Sequence, residues 1–165
     1  MLKQKTLAKP IKTVGIGLHS GRKSTLTINP APINFGIQFV RVDLPNAVHI
    51  PAHALAVCDT RLASVIQKDG VRVSTVEHLL SACSGLGLDN LLIEVDAEEL
   101  PILDGSAAPW VDAILQAGIQ TLEGRRRFMK ITRPVEVRSG DRWIRALPYG
   151  GLRLRYAIDF PVPAL

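Results

Sequence analysis

The chain has 165 residues, 47% hydrophobic and 21% charged, with a formal net charge of +5. That composition suits one globular domain, or one domain and part of another, and excludes a disordered or fibrous chain. No apolar run reaches the roughly 20 residues of a bilayer-spanning helix, and the opening "MLKQKTLAKPIKTVG" lacks the apolar centre of a secretory signal.

"KTVGIGLHSGRKSTLTINPAP" reads as strand, turn at Ser20-Gly21, strand, and "GIQFVRVD" as a further alternating strand whose faces stay unassigned. Pro45 and Pro51 mark irregular chain between elements. "TRLASVIQKDGVRVS" is expected to be a hairpin around Asp69-Gly70, a strong short-range hairpin dipeptide. Ser74 is expected to cap a helix, with Glu77 three residues on completing a capping box. Val76, Leu79, Leu80 and Cys83 then form an apolar stripe at helical spacing, ended by Gly85 and Gly87. "NLLIEVDA" is a short strand, "LPILDGSAAPW" a turn-rich loop, and "SAAPWVDAILQAG" a second helix stopped by Gly118.

The dense basic run "GRRRFMK", 124–130, reads as a solvated linker; contact with an anion is the other reading. Aromatics are few and not interleaved with arginine, which argues against a nucleic-acid stacking surface. A non-catalytic structural or binding module and an RNA-associated α+β protein are the rival classes, and a salt-dependent binding assay would expose the second. Cys58 and Cys83 supply no disulfide framework, which fits a reducing compartment.

A partial repeat follows. "RSGDRWIRALPYGGLRLRYAIDF" has the layout of "HSGRKSTLTINPAPINFGIQFVRVD": Ser-Gly turn, strand, proline, glycine, alternating strand, aspartate. Ser139-Gly140 corresponds to Ser20-Gly21, and Asp159 roughly to Asp43. The expected fold is α+β: a two-layer sandwich of a β-sheet on two helices over residues 1–124, then the opening strands of a second, similar domain over 125–165. The second unit lacks its helices, so the sequence reads as cut short, and its sheet edge is a candidate for self-association. The sequence leaves the oligomeric state open.

Glu77 and His78 stand side by side at a helix start. One reading makes Glu77 a capping acid that favours the helix dipole and His78 a packed surface residue. The other is catalytic. A zinc ion needs three protein ligands and an open position for water. A neighbouring carboxylate can take a proton as that water attacks a carbonyl carbon. Adjacent helical residues point about 100° apart, so the two can flank one cleft. His19 follows "GIGL" in the first hairpin, whereas His49 and His53 carry no ligand spacing.

Taken together, "GIGLHSG", "STVEHLLSACSGLGLDN" and "ELPILDGSAAPW" resemble the UDP-3-O-acyl-N-acetylglucosamine deacetylases, zinc amidases of lipid A biosynthesis in Gram-negative bacteria. The resemblance spans essentially the whole chain. It implies two similar domains, each a sheet on a pair of helices. It implies hydrolysis of the acetamide of a UDP-linked, acylated glucosamine in the cytoplasm, with release of acetate and no nucleic-acid partner. It implies Glu77 as general base and His78 as a zinc ligand, with His19, Thr60 and Leu62 at the substrate cleft. It gives the loop holding Asp104 and Ser106 a structural role first. The family's remaining zinc ligands belong to a stretch of the second domain that has no counterpart here, so the isolated chain is expected to bind zinc weakly and to turn over negligibly.

Overall fold

The computed structural model describes residues 2–158. The chain divides into two compact units, Met1–Arg126 and Arg127–Leu165.

In the first unit the strands are β1 (Lys3–Leu7), β2 (Ile11–Ile16), β3 (Lys23–Pro30), β4 (Ile37–Arg41), β5 (His49–Pro51), β6 (Val57–Asp59), β7 (Val65–Lys68) and β8 (Val71–Val73). Helix α1 (Glu77–Leu86), β9 (Leu91–Val95), α2 (Ala108–Ala117) and β10 (Ile119–Arg125) follow. The main sheet has the order β2-β3-β9-β4-β5. Within it β4 and β9 are parallel and the other pairs antiparallel. Strands β6, β7 and β8 form a separate three-stranded sheet, and β1 pairs with β10.

Alternation explains the layering. Leu91, Ile93 and Val95 of β9 are buried while Leu92 and Glu94 face the other way. Opposite partners in a ladder share a face, so Leu26 and Ile28 of β3 join them, with Phe39 of β4. Against this face pack Leu79 and Cys83 of α1 and Trp110 and Ile114 of α2. Each fully buried side chain of this size contributes about 1.5–3 kcal/mol of transfer free energy. The α+β sandwich with two helices is therefore observed.

Both glycine stops act as backbone devices. Gly87 takes φ 73°, and its N–H and that of Leu88 satisfy the last carbonyls of α1. Gly118 takes φ 79° after α2. Gly85 does not end α1 but lies within it.

The capping box does not form. Ser74 lies outside α1, where its backbone bridges to Glu99, its N–H bonds to Glu98 O at 2.7 Å, and its carbonyl accepts from Leu100 at 3.1 Å. Thr75 then adopts φ +60°, and Val76, with no capping side chain, precedes the first helical residue. Pairing with a distant segment overrides the local motif. Pro51 likewise sits in a strand, the short β5, which is tolerated because β5 is an edge of the sheet.

The second unit contains the antiparallel hairpin β11 (Val135–Ser139) and β12 (Arg142–Ala146), turning at Gly140 with φ 62°. Glu136 lies between Arg138 and Arg145, whose guanidinium groups hold its carboxyl below the usual range. Among the described residues the expected second alternating strand does not form: residues 152–158 lie in no strand. A strand needs a neighbour for its backbone groups, and none is paired to this segment among the described residues. Asp159, the repeat's last matching position, lies outside the described residues. No helix among the described residues is long and apolar enough to cross a membrane.

Candidate active site

Freed from capping, the Glu77 carboxylate does something else. Its Oε2 accepts the N–H of Ser64 at 3.0 Å, and the Ser64 carbonyl accepts from Val76 at 3.4 Å. The start of α1 is thereby fastened to the loop between β6 and β7. That loop carries Thr60, which is exposed, and Leu62, which is 82% exposed. Arg61 folds back on Asp59, its Nη2 2.6 Å from Oδ2, and holds that carboxyl well below the usual range.

Glu77 and His78 are both half-buried. The second carboxylate oxygen of Glu77 and the ring of His78 have no hydrogen-bond partner among the described residues. His78 is therefore neither sealed in the core nor occupied.

His19 is exposed on the loop joining β2 to β3. Gly17 N–H donates to Arg22 O at 2.9 Å and Gly21 N–H to Gly17 O at 3.0 Å, closing the loop on itself. A buried carboxylate pins it from below. Glu99, 3% exposed, accepts the His19 N–H at 3.0 Å and the Ser20 N–H at 2.7 Å. It also accepts the Thr75 hydroxyl at 3.0 Å. Burial alone would raise its pKa; the bonds from His19, Ser20 and Thr75 outweigh that and leave it lowered. A buried charge is tolerated only when so paired.

A continuous string results: His19 loop, Glu99, Thr75, the start of α1, Ser64. It gathers His19, Glu77, His78 and the 60–62 loop into one region of the first unit. Sequence reading missed Glu99, which stood unremarkable in the acidic run "DAEEL". The other histidines are engaged elsewhere: His49 Nδ1 with Gln38 Oε1 at 3.0 Å, and His53 Nδ1 accepting from Leu55 N–H at 3.1 Å. Asp104 Oδ1 accepts from Ser106 N–H (2.8 Å) and Oγ–H (2.9 Å), and Ser106 Oγ accepts from Ala108 N–H at 3.1 Å. Those bonds shape the turn into α2.

The sequence model of the family described as UDP-3-O-acyl N-acetylglycosamine deacetylase matches residues 4–165. The chain belongs to this deacetylase family. At family level that means deacetylation of a UDP-linked acylated aminosugar in lipid A biosynthesis. For the family's metal, the donor set decides. No group of three or more His, Cys, Asp or Glu side chains able to hold a metal ion exists among the described residues. His78 offers one free imidazole, so the described residues alone do not fit a closed deacetylase zinc centre.

Proposed function

We propose that this chain carries the base-bearing half of a zinc-dependent deacetylase site acting on UDP-3-O-acyl-N-acetylglucosamine in the cytoplasm. Glu77 takes a proton from the water that attacks the acetamide carbonyl carbon. Cleavage of the C–N bond, with a proton returned to the leaving nitrogen, then yields acetate and the free amine. His78 is one zinc ligand, the others coming from outside the described residues. His19, Thr60 and Leu62 border the substrate. By itself the 165-residue chain has negligible turnover.

One observation carries this reading: a half-buried carboxylate oxygen and the imidazole next to it are both left without partners among the described residues. Capping does not explain the pair, since Val76 precedes the helix without a side-chain cap bond and no capping box exists. Two free cysteines agree with a reducing setting.

The test is zinc-dependent acetate release by the full-length gene product. Glu77→Gln keeps an acceptor for Ser64 and is expected to fold while losing about 10²–10⁴-fold in rate, the usual contribution of a general base. His78→Ala is expected to lose zinc together with activity. Full activity in either variant would end the proposal.

A further inference from the structure

The geometry points to Glu99 as a positioning residue that locks the His19 loop to the start of α1 and so fixes where Glu77 and His78 face. It rests on the reading of Glu77 and His78 as reacting groups, but its test uses no turnover.

Three features converge on this one carboxylate. It accepts two backbone N–H groups of the loop and one hydroxyl from Thr75, two residues before Glu77. It is nearly fully buried, so water does not compete for its oxygens. Its surroundings are cut to fit: a Cβ on Gly17 would lie 2.4 Å from Glu99 Oε2. Thr75 is the attachment point on the other side, held at φ +60°, which a β-branched residue rarely adopts. The strain is held by the Glu99 bond and by the Ser74–Glu99 bridge. Because Glu99 grips mainly backbone amides, it fixes the loop while leaving the His19 side chain free.

Glu99→Gln replaces one acceptor oxygen by an NH2 donor facing other donors. Ser64 N–H reports the outcome, because it is bonded to the Glu77 carboxylate rather than to Glu99. Amide hydrogen exchange is followed by NMR on the 165-residue chain. In Glu99→Gln the His19 and Ser20 amides are expected to exchange roughly ten- to a hundredfold faster. The Ser64 amide is expected to accelerate several-fold as well, while Ile93 in the central strand stays protected. Thr75→Val removes the bond to Glu99 together with the 3.4 Å contact to Ser74 Oγ but leaves the Glu99 bonds to the loop, so Ser64 accelerates while His19 and Ser20 do not; Thr75→Ser restores the hydroxyl and the parental rate. If Glu99→Gln fails to fold, the Thr75 pair alone decides. Unchanged Ser64 exchange in Thr75→Val, or acceleration confined to His19 and Ser20 in Glu99→Gln, overturns the proposal. If the exchange pattern holds but Glu77→Gln is fully active, the function reading fails and the lock stands.

Discussion

Gly17→Ala tests the packing around Glu99 most sharply. Gly17 is buried just past the end of β2, and its φ is not positive, so backbone strain plays no part. The added Cβ would meet Glu99 Oε2 at 2.4 Å, Ser20 Oγ at 2.5 Å and Glu99 Cδ at 2.8 Å, where ordinary contact is 3.4–4 Å. The carboxylate cannot move aside without breaking bonds to His19, Ser20 or Thr75. Overpacking of this kind costs about 1–3 kcal/mol. Losing one hydrogen bond to a charged group adds about 1.5–3 kcal/mol. The sum, about 2.5–6 kcal/mol, is a large part of the roughly 5–15 kcal/mol that holds a typical domain. Urea unfolding with linear extrapolation reads it directly. Gly85→Ala is the control: Gly85 is an exposed helical glycine with nothing within 4 Å of where the alanine methyl would lie, so a gain of up to about 1 kcal/mol is expected. A Gly17→Ala chain within about 1 kcal/mol of its parent, a limit set by the smallest overpacking cost, would refute the description of this site.

Acid stability should carry the signature of Glu99. Its folded pKa lies below the ordinary glutamate value of about 4.3, so its contribution is complete above that value and is lost as pH falls through the folded pKa. Circular dichroism against pH should show a flatter acid limb in Glu99→Gln than in the parent; parallel limbs would contradict it. Asp43, lowered by Arg41, contributes with the same sign in both chains. Thiol reactivity should be split: Cys58 is exposed, while burial pushes the Cys83 thiol up to about 12. Ellman's reagent should find one fast thiol in the native chain and two in denaturant, and two fast native thiols would be the wrong result. Calorimetric zinc titration of the 165-residue chain should give weak binding, since no three-ligand group exists among its described residues; a single tight site would refute this.

Elements whose signals are local were legible in the sequence. Asp69 and Gly70 both take positive φ, 50° and 79°, as a two-residue hairpin turn requires. Of the stripe Val76, Leu79, Leu80 and Cys83, three are buried as their spacing demanded and Leu80 is half-buried against the same core. The pair β1 and β10 was hidden because it joins opposite ends of the unit, Leu7 to Ile119, and because β1 turns polar side chains inward. Gln4 and Thr6 are buried, and each is matched by Asn90: Asn90 Nδ2 donates to Gln4 Oε1 at 2.9 Å, and Thr6 Oγ donates to Asn90 O at 2.7 Å. An alternation whose inward positions are polar does not read as a strand. Ser74 failed in the opposite direction, since a valid local motif lost to long-range pairing with 98–100.

The same division runs through the site. Glu77 and His78 stand out in the sequence because a carboxylate and an imidazole are adjacent there. Glu99 does not, because its grip on the loop runs through backbone amides, which every residue but proline has and no sequence advertises. Its one trace was Gly17, a glycine two residues before His19 whose missing side chain makes room for a distant carboxylate. A hydrophobic pin would have been easier to bury than a charge, but it would have held the loop by its side chains. A carboxylate grips the main chain instead, so the imidazole of His19, the outer oxygen of Glu77 and the ring of His78 are left with no structural work to do. Groups relieved of structural work in this way are the ones the proposed reaction calls on.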